Sequence, residues 1–196
     1  SNLGVLINGV PINGMENGKV YWSNWSGLSD VSQFIQVQRG LGASALGISS
    51  VGGTMNMVTK STEAQKGGSA YFGIGNDGFR KYSVSFSTGL MDNGWAITFM
   101  GALNTGDGYV KGTNYEGWTY FGNISKVIND HHKLSLTAFG APQWHNQRST
   151  MHYIEDYKNS PDGGRFNNGY GYINGEAVGS GYGYNYYHKP QVSLNH

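Results

Sequence analysis

The side chains best suited to hold a ligand are concentrated in one segment, residues 143–187. This segment contains eight of the 14 tyrosines and eight of the 32 glycines. Aromatic rings offer flat surfaces, and phenol, imidazole and guanidinium groups donate hydrogen bonds, a combination that suits a sugar, a corrin or an aromatic chelate. Packing of one loop against another is the alternative role for each such residue. The candidate ligand-binding residues here are Trp144, His145, Arg148, Tyr153, Tyr170 and Tyr172.

Histidine and carboxylate side chains could support metal binding or catalysis, but their spacing defines no such site. His145 and His152 could ligate a transition metal, yet a separation of seven residues on an irregular segment sets no geometry. Glu155, Asp156 and Glu176 could supply the two acids of a glycoside hydrolase, but no predicted scaffold holds them at a fixed separation. We therefore predict no metal site, no cofactor and no enzyme.

Composition narrows the class of protein. A formal net charge of +1 is too small to recruit nucleic acid, and the absence of cysteine excludes disulfides and thiolate metal sites. The longest apolar stretch, residues 95–103, is about half of the ~20 residues that a membrane-spanning helix needs, although a membrane-spanning strand needs only about 9–11. With 32 glycines and 14% aromatic residues, the chain is predicted to be mainly β.

Beyond residue 67 the sequence alternates with period two, which indicates strands with different environments on their two faces. The clearest example is 81–88, followed by 95–104, where Met100 falls on the polar side, and by 134–138. Weaker alternation covers 70–74 and 118–124. In the last of these, Lys126 would lie on the apolar face unless a bulge shifts the phase.

The connections between these segments differ in length in a regular way. Tight polar turns at 91–94 and 129–132 alternate with longer links at 106–117 and 143–187, an asymmetry typical of outer-membrane barrels. The short link at 76–80 departs from it. A soluble antiparallel sandwich also alternates and also has hairpin turns, so periodicity alone leaves both architectures open.

Residues 34–60 carry the most specific motif. A predicted strand ends in Arg39-Gly40, a stretch of small residues follows, and Gly52-Gly53 leads into an alternating strand that ends in Thr59-Lys60. This order resembles the closing signature of the plug domain of TonB-dependent receptors. Residues 6–11, Leu-Ile-Asn-Gly-Val-Pro, resemble an earlier strand and turn of the same plug, with Asn8 where an aspartate is common.

The resemblance implies a fold and a division of the chain. Residues 1–66 would be the C-terminal part of a plug, and residues 67–196 the first five to six strands of a plugged transmembrane antiparallel β-barrel, which has about 22 strands when complete. Because an open wall cannot stand in lipid, and because residues 1–7 lack the features of a signal peptide, we expect the chain to be a fragment. Arg39 would pair with the barrel wall, while Gly40, Gly42, Gly52 and Gly53 would allow positive φ or close backbone approach.

The resemblance also implies a function. Receptors of this family take up a scarce, bulky nutrient, such as a siderophore or other metal chelate, cobalamin, haem or a glycan, across the bacterial outer membrane. TonB and its inner-membrane motor would act through an N-terminal segment that the sequence lacks. The ligand would meet the outer loops and the top of the plug, where residues 13–25 supply Trp22 and Trp25 as further candidates. The tyrosine- and glycine-rich loop resembles those of receptors from Bacteroidota, which often work with a surface lipoprotein. The alternative is a passive porin or a structural outer-membrane protein, which would lack the plug.

Overall fold

The computed structural model describes residues 3–40, 50–60, 64–148, 151–178 and 184–196. Within these ranges the chain is mainly β, as predicted, and two sheets dominate it. No helix among the described residues is long and apolar enough to cross a membrane. The change from the first sheet to the second falls between Thr59 and Gly67.

The first sheet, which we call the plug, has four strands in the order β2-β1-β4-β3. β1 pairs with β4 in parallel. β2 pairs antiparallel with β1, and β3 pairs antiparallel with β4. A 3₁₀ turn and the short helix α1 connect β2 to β3 and supply the buried side chains of Trp25, Leu28 and Val31. The elements are β1 (Gly4–Ile7), β2 (Val10–Pro11), the 3₁₀ turn (Trp22–Trp25), α1 (Leu28–Val31), β3 (Ser32–Arg39) and β4 (Gly53–Thr59).

The second sheet, which we call the wall, is built on an antiparallel meander of five strands. They are β5 (Gly67–Ile74), β6 (Arg80–Ser87), β7 (Trp95–Gly106), β8 (Tyr115–Asn129) and β9 (His132–Gly140). Two short strands, β10 (Gln143–His145) and β13 (Asn185–Tyr187), extend the sheet beside the start of β8, and β14 (Gln191–Asn195) pairs with β9. We call the end of the wall with residues 107–114 the loop end, and the end with residues 91–94 and 130–131 the turn end.

The segment with the weakest alternation forms the longest strand. β8 has 15 residues, and its ladder with β7 runs without interruption from Tyr115 to Lys126. No bulge shifts the phase, so Lys126 lies on the apolar face. Its Nζ is 5.2 Å from the centroid of the Trp95 ring and donates a 2.5 Å hydrogen bond to the backbone oxygen of Asn93. The side chain thus brings its charge to the turn end, as long basic side chains do at apolar boundaries.

The two faces of the wall are inverted relative to a soluble sheet. On β7 the large apolar side chains Trp95, Ile97 and Phe99 are 41%, 38% and 50% exposed, whereas Thr98 is buried. On β8, Asn123 and Ser125 are 1% and 0% exposed, while apolar side chains point outward. A soluble sandwich would bury the apolar face. An apolar outer face with a polar inner face is the arrangement of a membrane barrel.

The height of the apolar band agrees with this. The band is bounded at the loop end by the cross-strand pair Thr105 and Glu116. At the turn end it is bounded by the pair Trp95 and Lys126, where the Lys126 charge lies. These pairs lie ten residues apart on β7, which is about 33 Å at roughly 3.3 Å per residue. With a strand tilt of about 40°, the height is about 25 Å, the value typical of transmembrane barrels.

The plug packs against the inner face of the wall. The Trp25 ring stacks on Phe139 with 6.0 Å between centroids, and both belong to one buried cluster that also includes Met100 and Phe121. Met100, on the nominally polar side of β7, therefore faces the plug. Lys81 of β6 forms a 2.7 Å ion pair with Asp30 of α1.

The segment predicted as one long loop contains regular structure. It holds the helix α2 (Ile154–Asn159), a 3₁₀ turn (Gly163–Arg165), and a hairpin of β11 (Gly171–Ile173) with β12 (Glu176–Val178), besides β10 and β13. The shorter loop-end link covers 107–114, because β7 and β8 extend further than their alternation indicates.

Candidate functional site at the loop end

Three loop-end connections are joined to one another by ion pairs and hydrogen bonds. The carboxylate of Asp77, in the β5–β6 link, pairs with Arg165 at 2.6 Å. The backbone oxygen of Asp77 accepts a 2.8 Å hydrogen bond from the backbone N–H of Asp107. Lys111, in the β7–β8 link, pairs with Asp162 at 2.5 Å. Because each connection is tied to the next, the loops are held in one arrangement before any ligand arrives, which lowers the entropic cost of binding.

A pocket of about 240 Å³ lies between two of these connections, the β7–β8 link and the segment that follows β10. The guanidinium carbon of Arg165 lies 4.7 Å from the centroid of the Tyr109 ring, and the hydroxyls of Tyr170 and Tyr172 are 3.0 Å apart. The hydrogen bond with Tyr172 and, to a smaller extent, burial raise the pKa of Tyr170 above 10.0. The pocket thus presents neutral phenol groups together with cations that are already ion-paired.

Two of the sequence-predicted ligand residues, Tyr170 and Tyr172, line this pocket. Sequence reasoning missed Asp107, Tyr109, Lys111 and Arg165 as their companions. The links that carry them were recognised as loops, but no local pattern shows that they converge.

Arg148 and Tyr153 lie beside α2 and have packing or exposed roles. The Arg148 side chain donates a 3.0 Å hydrogen bond to the backbone oxygen of Phe166, and its guanidinium carbon is 5.2 Å from the centroid of the Tyr157 ring. Tyr153 is 84% exposed and precedes α2, where Asp156 accepts its backbone N–H. Loop-to-loop packing is thus the observed role of Arg148, and helix capping that of Asp156.

Trp144 and His145 point to opposite sides of the wall. Trp144 pairs with Glu116, whose carboxylate accepts the indole N–H of the outward-facing Trp118. Trp144 therefore lies on the outer face, stacked on Tyr184 at 5.9 Å, and this placement argues against contact with a ligand above the plug. His145 pairs with Tyr115 on the inner side.

The two plug tryptophans also differ. Trp25 is 6% exposed and belongs to the plug–wall core, so little of its surface is free for a ligand. Trp22 is 51% exposed. It lies near the loop end of the wall, because Gln143 donates a hydrogen bond to the backbone oxygen of the next residue, Ser23.

The histidines are distributed rather than clustered. His152 packs edge-on against Phe166 with ring centroids 5.3 Å apart. At the turn end, His132 is the first residue of β9 and not part of the turn; its Nδ1 lies 2.9 Å from Nε2 of His196. Among the described residues no group of three or more histidine, cysteine, aspartate or glutamate side chains could hold a metal ion.

The glycine-rich plug motif has the backbone conformations that were expected at two positions. Gly40 and Gly53 have φ of 74° and 104°, and a Cβ on Gly53 would lie 2.1 Å from the backbone oxygen of Gln38. Gly52 lies in the preceding turn with an ordinary φ, and Gly42 lies outside the described residues. Arg39 is exposed, and the described part of the chain contains no ion pair with it, so its pairing with the wall stays a prediction.

Comparison with solved structures gives the same architecture. The chain is similar to the ferripyoverdine receptor of the outer membrane of Pseudomonas aeruginosa (15% identity, TM-score 0.59, 73% of this chain and 19% of that one). It is also similar to the copper transporter OprC (17%, 0.63, 76% and 24%) and to the ferric-catecholate import receptor Fiu from E. coli K12 (16%, 0.60, 77% and 22%). The fold is that of part of a plugged β-barrel. The chain spans about a fifth of the length of these structures, and no family model matches it.

Proposed function

We propose that this chain is part of a TonB-dependent receptor of the bacterial outer membrane, which takes up a bulky nutrient. The observation that carries the proposal is the inverted wall with a folded plug packed on its inner face. An apolar outer face of about 25 Å suits lipid. A passive porin or a structural barrel protein has no need of an internal sheet bonded to its wall, and active import does.

The loop-end pocket, between the β7–β8 link and the segment after β10, and the exposed plug surface near Trp22 are the proposed cargo site. Tyr109, Tyr170 and Tyr172 surround the pocket with flat rings and hydroxyl groups. His145, on the inner side of β10, is a further candidate. At about 240 Å³ the pocket would hold one ring system of a larger cargo, because complete small-molecule pockets are about 300–1,000 Å³.

The cargo classes in this proposal are siderophores and other metal chelates, cobalamin, haem and glycans. The similar structures are described as receptors or transporters for ferripyoverdine, ferric catecholate and copper. The partners in this proposal are TonB with its inner-membrane motor and, from the resemblance of the loop to those of Bacteroidota receptors, a surface lipoprotein. Co-purification with the full-length receptor would identify the lipoprotein.

The transport proposal is tested with the full-length receptor. Native mass spectrometry identifies the cargo that the receptor retains, and uptake of that cargo is measured in cells with and without a protonophore. We expect uptake to stop when the proton-motive force is removed. Uptake that continues unchanged would contradict active transport and favour the porin.

The cargo site is tested by substitutions in the same receptor. Tyr170→Ala and Tyr172→Ala should weaken cargo binding, because each removes a ring and a hydroxyl from the pocket. Tyr153→Ala is the matched control, since Tyr153 is 84% exposed and does not line the pocket. Equal binding by all three variants would place the cargo elsewhere.

A further inference from the structure

The outer face of the wall has a trough between β6, β7 and β8, near the loop end. It has a volume of about 280 Å³ and is lined by Tyr82, Val84, Gly101, Leu103 and Trp118, with backbone contributions from the residues between them. Nothing lies within 4 Å of the position that a Cβ of Gly101 would take. A glycine among large outward-facing side chains therefore forms the floor.

The sides of the trough are fixed by the cross-strand register. Val84 is the β6 partner of Gly101, and Leu103, one row nearer the loop end, lies between Tyr82 and Trp118. The Phe72 and Tyr82 rings pack at 5.1 Å and hold that edge in place. The resulting space is apolar, which suits a hydrocarbon chain and disfavours a charged or strongly hydrated group.

A cation stands directly beyond the trough. Arg80 lies two residues before Tyr82 on the same face of β6, in the row that also contains Thr105. It is exposed, and the described part of the chain shows no ion pair for it. Arginine forms bidentate hydrogen bonds with phosphate, so an anionic head group at this row would be complementary in charge.

We propose that the trough holds one acyl chain of a phosphorylated membrane lipid, with the phosphate at Arg80. The inference rests on the proposed membrane location of the wall, since the trough is continuous with the apolar outer band. Its position just inside the loop-end boundary assigns the lipid to the outer leaflet.

The test is native mass spectrometry of the full-length receptor released from outer-membrane nanodiscs. We expect a retained phosphorylated lipid in the parent protein, its loss in Gly101→Leu, and a reduced fraction in Arg80→Gln. Gly122→Leu is the matched control: Gly122 also faces outward on the wall, has nothing within 4 Å of its Cβ position, and does not line the trough. The control should retain the lipid.

Absence of a lipid adduct from the parent, or equal retention by Gly101→Leu and Gly122→Leu, would overturn the proposal. A dimer without lipid, lost in Gly101→Leu, would do the same and would indicate a second copy as the occupant. Uptake driven by the proton-motive force is measured on the same variants. Lipid loss with unchanged uptake would show that the lipid site is separate from the transport function. Retained lipid without uptake driven by the proton-motive force would contradict the transport function and leave the lipid site supported.

Discussion

Two of the regions in which the plug meets the wall differ in chemistry. In the contact nearer the loop end, Trp25 and Leu28 of the plug pack with Met100, Phe121 and Phe139 of the wall in one buried apolar cluster. We call this the dry contact. Burial of apolar surface stabilises such a contact by about 25 cal/mol per Å², so it should hold the plug firmly.

The contact nearer the turn end is polar on both sides, and we call it the wet contact. Plug residues Asn56 and Thr59 and wall residues Asn123, Ser135 and Thr137 line a cavity of about 360 Å³. Their side-chain hydrogen bonds stay within their own sheets: Asn123 donates to Ser135 and Thr137, and Asn56 donates to Gln36 of the plug. Two polar surfaces that are satisfied separately can part with little loss of bonding.

Resistance to plug movement is expected at the dry contact more than at the wet contact. A pull on the plug would meet the dry contact and the Asp30–Lys81 ion pair as its main obstacles, since the wet contact already has room for water. Substitutions in the two contacts should therefore differ in their effect on plug release more than in their effect on the fold of each sheet.

The largest effect is expected at Trp25. Trp25→Ala removes the stack on Phe139 and leaves a cavity, which should destabilise the docked plug by about 3–5 kcal/mol. The measurement is the denaturant midpoint for protease cleavage of the plug in the full-length receptor. Trp22→Ala is the control, because Trp22 is 51% exposed, and it should change stability by less than about 0.5 kcal/mol. Equal midpoints for the two variants would contradict the idea that the dry contact holds the plug firmly.

A smaller effect is expected at the ion pair. Lys81 and Asp30 are 22% and 26% exposed at the side chain, between the surface and buried cases, so Lys81→Met should weaken plug retention by about 1–2 kcal/mol. The same assay measures it. The double variant Asp30→Lys with Lys81→Asp should recover most of the loss. Failure of this charge swap to recover the loss would show that the pair does not hold the plug.

The wet contact should respond differently. Thr59→Val removes the hydroxyl that bonds to Asn8 within the plug and should cost about 1 kcal/mol in plug stability. It should leave the force needed to extract the plug from the wall unchanged, as measured by single-molecule pulling. A drop in extraction force as large as that for Lys81→Met would mean that the wet contact also carries load.

Much of this architecture could be predicted from the sequence, and the reason is local. Alternation along 81–88 and 95–104 and the order of motifs in residues 34–60 depend on neighbours in the chain, and both patterns correspond to observed strands. Alternation alone did not establish that the apolar face points outward, because a soluble sheet alternates in the same way. The exposed fractions of Ile97 and Phe99 decide that question.

The site was harder to predict because it is assembled from distant segments. The Arg165–Asp77 pair joins residues 88 positions apart, and no periodicity reports such a contact. Trp144 and His145 point in opposite directions because of their pairing with β8. The sequence places both residues in a loop and so does not predict this pairing. Composition identifies the tyrosines that are candidates for ligand contact, whereas only the fold shows which of them line the same pocket.

The smallest effect is expected for a polar contact outside both interfaces, the exposed hydroxyl pair of Tyr170 and Tyr172. The hydrogen bond with Tyr172 is the first cause of the raised Tyr170 pKa, so Tyr172→Phe should lower the Tyr170 pKa toward 10.0. Because the pKa is raised in the folded chain, the neutral pair contributes its stabilisation below about pH 10 and loses it as the pH rises through the folded value. Difference absorbance titration against Tyr170→Phe measures the shift. Since water competes for both hydroxyls, the unfolding midpoint at neutral pH should hardly change. A marked change would mean that this loop pair is as protected from water as the dry contact.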